Sequence, residues 1–357
     1  MSALRAIDVH THLLPPEVPR WAQKFGYGGF VHLEPIAEVG TGSSTPPCRA
    51  QMVRSDGTAF RDVEQNLWDG PARLLECDAR SVGVQVLSTV PAMFSYFAKP
   101  EHGFEVARFL NDHLAGVVRA HPRRFAGLGT LPLQSPELAV RELERCVGAL
   151  GLAGVQIGTH VGDLNLDAPA LFCVFERAAQ LGAAVFVHPW DMRGQEKMAR
   201  HWGPWLVGMP MEVAQAICAV IFGGVLERLP DLRILFAHGG GAFAGTLGRI
   251  THGFEARPDL VALDNPHPPQ RYLNGAPAGA NRLYVDSLVH DARALRLVLE
   301  TFGHDRVAVG SDYPFPLGED APGALIRSQR FPPSVEARLL AGTALEWLGR
   351  RAEEFDL

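Results

Sequence analysis

Eight short apolar runs recur along the 357-residue chain, near residues 5–10, 84–90, 125–132, 154–159, 183–188, 233–238, 283–288 and 307–311, and an amphipathic stretch follows each one. Those stretches, at 69–82, 104–120, 136–149, 168–181, 211–228, 242–255, 291–302 and 333–348, have the length and periodicity of helices that lay one apolar face on a sheet. Strands separated by such helices form βαβ units and a parallel sheet. Eight repeats predict a closed (β/α)8 TIM barrel of the α/β class rather than an open doubly wound sheet, which usually has roughly five or six strands. Residues 1–357 are read as one barrel domain, since such barrels routinely run past about 250 residues as a single unit.

The stretch at about 13–67 is too long for a simple loop between the first strand and its helix. It contains Gly26-Tyr27-Gly28-Gly29 and the turn-rich run 40–47, and is read as an insertion covering the mouth of the barrel, with short strands of its own. A second irregular segment, 274–280, precedes the seventh strand and has the composition of a surface loop.

Hydrophobic residues make up 47% of the chain and charged residues 20%, proportions that support a sizeable packed core. The net charge is −6, and there is no block of lysine or arginine, so the footprint of a nucleic-acid binder or an anionic-membrane binder is missing. Met1 to Arg5 leads directly into the first strand with no apolar leader, and no uninterrupted membrane-length apolar stretch is evident. A cytoplasmic protein is expected. The five cysteines, Cys48, Cys77, Cys146, Cys173 and Cys218, are scattered without CxxC spacing and read as free thiols.

Four of the apolar runs end in residues that can bind a metal. Ile7-Asp8-Val9-His10-Thr11-His12 places two histidines at alternate positions of a strand, hence on one face. Val185-Phe186-Val187-His188, Ile234-Leu235-Phe236-Ala237-His238 and Val307-Ala308-Val309-Gly310-Ser311-Asp312 repeat the pattern of a buried strand with a polar terminus. A lone His-x-His is often structural, but barrel enzymes build their sites at the C-terminal ends of the strands, where all these residues gather. Imidazole nitrogens and a carboxylate suit a borderline divalent ion such as Zn2+, so His10, His12, His188 and Asp312 are the candidate metal ligands, with one position left open. His238, followed by Gly239-Gly240-Gly241, is either a fifth ligand or the proton carrier. The second role is preferred, because a histidine near its ordinary pKa can take a proton from metal-bound water, whose own pKa falls to about 7 on zinc. A bridging lysine of the binuclear kind is excluded: the chain has only Lys24, Lys99 and Lys197, and the fourth strand ends in Gln156-Ile157-Gly158-Thr159-His160. A mononuclear site follows, with His160 read as a hydrogen-bonded residue outside the ligand set. Arg61 and Arg249 are candidates for gripping a substrate carboxylate, although an isolated arginine is more often solvated or ion-paired. Trp190, Trp202 and Trp205 either wall an apolar pocket or pack in the core.

Several runs together resemble one family closely. They are His10-Thr11-His12, Phe25-Gly26-Tyr27-Gly28-Gly29, Met93-Phe94-Ser95-Tyr96, Gly154-Val155-Gln156-Ile157-Gly158-Thr159-His160, His188-Pro189-Trp190-Asp191-Met192, Ala237-His238-Gly239-Gly240-Gly241 and Tyr313-Pro314-Phe315-Pro316-Leu317-Gly318-Glu319. They look like those of the α-amino-β-carboxymuconate-ε-semialdehyde decarboxylases of the amidohydrolase superfamily. Over nearly the whole chain, the resemblance implies zinc held by His10, His12, His188 and Asp312, with His238 as acid/base. It further implies that Arg61 and Arg249 bind the substrate carboxylates, with Arg249 supplied by the other subunit of a homodimer. The implied reaction is non-oxidative loss of CO2 from 2-amino-3-carboxymuconate 6-semialdehyde, in tryptophan/kynurenine-type or nitroaromatic catabolism. A decarboxylase of an aromatic carboxylate and a mononuclear amidohydrolase remain the alternatives. The chain departs from the family around 35–50 and 275–280, and at Thr58, where some relatives carry lysine.

Overall fold

The computed structural model describes residues 4–36, 49–276 and 283–357. The turn-rich run 40–47, Cys48 and residues 277–280 of the second irregular segment lie outside the described residues.

Eight parallel strands form the barrel, each near the position its apolar run indicates. They are β1 (Ala6–Leu13), β2 (Val82–Thr89), β3 (Phe125–Thr130), β4 (Gly154–Gly158), β5 (Ala184–His188), β6 (Arg233–Phe236), β7 (Leu283–Asp286) and β8 (Val307–Ala308). They pair in chain order, from β1 through to β8. Alternation sorts their side chains into two layers. Val185, Val187, Ile234, Phe236 and Val285 pack toward the surrounding helices. Ala184, Phe186, Leu235, Ala237 and Tyr284 fill the interior with Ile7, Val9, Val84 and Val86. Closure comes from β1 meeting the segment after β8: Val9 N donates to Val309 O (2.8 Å), Asp312 N to His10 O (2.9 Å) and His12 N to Tyr313 O (2.8 Å). The bonds that close the barrel therefore also set Asp312 against the two β1 histidines.

The insertion carries a helix, Trp21–Phe25, and a three-stranded antiparallel sheet of Val31–Pro35, Arg49–Arg54 and Ala59–Glu64. Its buried Trp21, Phe30 and Met52 pack with Val90 and Met93 after β2 and with Val106 and Leu110 of the helix Pro100–Ala120. The expectation that no membrane-length apolar stretch exists is corrected by Pro204–Phe222, which is long and apolar enough by length and composition to cross a membrane. Half of it is buried here. Val213, Ala216, Ile217 and Val220 join the core around the barrel, and buried Glu212 accepts a hydrogen bond from the backbone of Arg193 (2.9 Å). Leu206, Val207 and Met211 of the same segment are exposed.

Candidate metal centre

The β1–β2 ladder is irregular between Asp8 and Thr11, and such a bulge re-aims the side chains that follow it. Past the irregularity, the His10 ring meets the interior Phe186 at 5.0 Å between centroids, and the rings of His12 and His188 lie 5.2 and 5.0 Å from it. One ligand atom from each of His10, His12, His188 and Asp312 lies within 4.8 Å of all the others. The structure thus brings together the four residues named from the strand endings.

Each histidine is oriented by its Nδ1. That of His10 bonds Asp286 Oδ2 (2.7 Å), that of His12 the carbonyl of Thr89 (3.1 Å), and that of His188 the carbonyl of Pro189 (2.9 Å). A carbonyl or carboxylate oxygen only accepts, so the Nδ1 atoms carry the protons and the neutral rings turn bare Nε2 lone pairs inward. All three Nε2 atoms are buried without a hydrogen-bond donor. His12 Nε2 nevertheless lies 3.0 Å from Asp312 Oδ1, and His10 Nε2 lies 3.5 Å from the same oxygen. Lone pairs crowded round a carboxylate call for a cation between them, and this donor set fits a divalent metal.

The electrostatics agree for two of the three histidines. Burial pushes His12 and His188 down, so both favour the neutral form that ligates. Burial also pulls on His10, but its bond to Asp286 and the nearby Asp312 outweigh burial and raise it. Burial would raise Asp312, yet its closeness to His12 and the other surrounding imidazoles holds it well below the ordinary carboxylate range.

His238 sits beside this cluster, its ring centroid 5.2 Å from His10 and 5.1 Å from His188. Its backbone is left-handed at φ 57°, an uncommon conformation for a histidine, and its N–H donates to Asp286 Oδ2 (3.0 Å). The neighbouring Gly239 donates to Oδ1 of the same carboxylate (2.8 Å). One expectation changes here: burial, and then His10, push His238 down to about 4 rather than leaving it at its ordinary value. The ring thus favours the neutral form at neutral pH.

Two cavities meet at Asp312. One is lined by His12, His188, Asp312 and Arg61, with Trp190 and Trp202 as walls; the other contains His238, Leu288 and His290. Trp205, Met209 and Leu317 border both. Arg61 is half-buried with its guanidinium 4.4 Å from the centre of the Phe315 ring, so the insertion delivers a cation to the pocket. Arg249 is not among the cavity-lining residues; it is exposed on the helix Phe243–Ala256. His160 stays outside the ligand cluster, bonded to the carbonyls of Gly162 (3.0 Å) and Asp191 (3.2 Å).

Asp286 was missed in the sequence. It ends β7 as the other polar residues end their strands, and that position was its signal, but it works behind a ligand rather than as one. Asp8, buried beneath the site, accepts from Ser311 N (3.1 Å) and His10 N (3.2 Å). It was also overlooked, although it stands between the apolar Ile7 and Val9.

The sequence model of the family described as Amidohydrolase matches residues 7–350. The chain is 49% identical to the 2-amino-3-carboxymuconate-6-semialdehyde decarboxylase of Dictyostelium discoideum over 344 residues, which is 96% of this chain and 91% of that one. To the enzyme of the same name from Caenorhabditis elegans it is 38% identical, covering 92% and 90% of the two chains. Among solved structures, 5-carboxyvanillate decarboxylase from Sphingomonas paucimobilis superposes with a TM-score of 0.77 at 26% identity, covering 98% of this chain and 100% of that one.

Proposed function

Since the chain belongs to the amidohydrolase family and is a metal-dependent carboxy-lyase within it, we propose that its substrate is 2-amino-3-carboxymuconate 6-semialdehyde, its product 2-aminomuconate 6-semialdehyde and its metal zinc. The observation that carries this reading is the convergence of His10, His12, His188 and Asp312 beside two adjoining cavities, one lined by Arg61 and the other by His238.

His10, His12, His188 and Asp312 would hold the ion, which when bound supplies a Lewis acid and an activated water. Arg61 offers a planar fork that pairs with a substrate carboxylate. The aromatic walls formed by Trp190, Trp205 and Phe315 suit a conjugated, flat molecule. The reaction replaces a carbon–carboxylate bond by a carbon–hydrogen bond: one CO2 leaves and one proton is gained. His238, neutral and buried beside the ligands, is the group placed to take up and return that proton, and its backbone bond to Asp286 fixes where the ring stands. We further propose a cytoplasmic homodimer in which Arg249 of one subunit reaches the pocket of the other.

The likeness to 5-carboxyvanillate decarboxylase keeps an aromatic carboxylate as the second reading, because aromatic walls also suit a benzoate. A side-by-side assay separates the two. Freshly generated semialdehyde should lose its visible absorbance and release CO2, while 5-carboxyvanillate turns over at a small fraction of that rate. The reverse order of rates would move the chain to the aromatic branch.

A further inference from the structure

Arg73 lies in the helix Gly70–Ala79 and is 0% exposed. Its guanidinium is spent on neutral groups. Nη1 donates to the carbonyl of His12 (2.7 Å) and to that of Asn66 (2.9 Å), and Nε donates to Gln85 Oε1 (3.1 Å). Its Cζ lies 4.7 Å from the centre of the Tyr313 ring, and Nη2 is buried without a hydrogen-bond partner. Burying a cation in this way is costly, and well-packed apolar residues of similar volume are often at least as stable in such places. Stability alone gives no reason for an arginine here.

The partners supply one. His12 is the β1 ligand whose N–H donates to Tyr313 O (2.8 Å), and Tyr313 follows the ligand Asp312. Asn66 lies just beyond the strand Ala59–Glu64, which carries Arg61 to the pocket. Gln85 sits on β2, the neighbour of β1. We propose that Arg73 is a positioning residue for the metal centre: a single planar fork locks the His12 peptide, the Tyr313 ring beside Asp312 and the end of the insertion into one arrangement. The proposal rests on the reading of His12 and Asp312 as metal ligands. Groups that orient ligands from behind typically change metal affinity by about 10–100-fold when removed. Lysine keeps the charge but gathers its donors on one nitrogen, so it cannot reproduce the separate Nη1 and Nε contacts of the planar fork.

The test uses cobalt as the probe in the full-length protein, with Arg73→Lys and Gln85→Leu as variants. Gln85→Leu leaves the arginine in place and removes the carboxamide whose oxygen accepts from Nε. Cobalt affinity is read by chelator competition, ligand geometry by the visible absorption bands of the cobalt protein, and folding by the melting of the metal-free forms. Arg73→Lys should bind cobalt about tenfold or more weakly with altered bands, and Gln85→Leu should move both readouts the same way by less. Parent-like affinity and bands in both variants would overturn the assignment and leave Arg73 a packing residue. If Arg73→Lys fails to fold, Gln85→Leu decides by the same two readouts. A parent protein that takes up no stoichiometric cobalt would instead overturn the metal reading itself, which the variants do not address.

Discussion

Exchanging His238 for alanine should leave the metal content near that of the parent while turnover falls about 10²–10⁴-fold, the usual worth of a positioned proton carrier. Asp286→Asn should do the opposite. It removes the carboxylate behind His10 Nδ1 (2.7 Å), which also accepts from His238 N (3.0 Å), so metal affinity should drop by about 10–100-fold and excess metal should restore only part of the activity. Metal analysis beside the assay checks both, and a His238 variant that comes out empty would make His238 a ligand. The two residues also mark the limit of what the sequence discloses at this scale. A histidine that ends an apolar strand advertises itself. An aspartate at the same place reads as turn chemistry, and its partner His10 stands 276 residues away. Arg73 is harder still, because an arginine on an amphipathic helix is expected in solvent and only the closed barrel shows it buried.

At the scale of elements, the site depends on β1, β7 and the end of β8 approaching more closely than side chains normally allow. A methyl group at Gly310 would stand 2.6 Å from Asp286 Cβ and 2.9 Å from His10 Cβ. Gly310→Ala should therefore cost about 1–3 kcal/mol in unfolding free energy and weaken metal binding as well. Gly116→Ala is the control, since nothing lies within 4 Å of a methyl group there and the residue is inside the helix Pro100–Ala120. It should stabilise by about 0.5–1 kcal/mol. Denaturant melts of the two variants check the contrast. The elements themselves were largely legible, because each barrel strand is a buried apolar run and most of the helices are amphipathic. The irregularity between Asp8 and Thr11 was not, since plain alternation puts His10 and His12 on one face without saying which face that is. The polar, short strands of the insertion show little periodicity, and they pair with each other rather than with the barrel. The apolar length of Pro204–Phe222 shows equally that composition cannot distinguish a buried helix from a membrane-spanning one.

For the whole molecule, one chain supplies the ligands, His238 and Arg61, while Arg249 stands exposed away from the cavity. If Arg249 serves a partner's pocket, His238→Ala and Arg249→Ala proteins should each be nearly inactive, and mixing them should restore activity. Random reassortment of a two-fold dimer makes about half the molecules hybrids, each with one intact site of two, so roughly a quarter of parental activity should return. No recovery, with subunit exchange confirmed by native mass spectrometry, would mean that each arginine serves its own chain or none. Whether this helix meets a second chain is not readable from one sequence, since its exposed face looks like any solvated surface. The central claim is simpler: four converging side chains hold one metal ion, and that ion is required for decarboxylation. Its most direct test is to strip the purified protein with a chelator, add back zinc in measured steps, and follow CO2 release from fresh semialdehyde against metal bound. The expected result is no turnover without metal and activity rising in proportion to occupancy up to one ion per chain. Protein shown by analysis to be metal-free, yet releasing CO2 at the full rate, would contradict it.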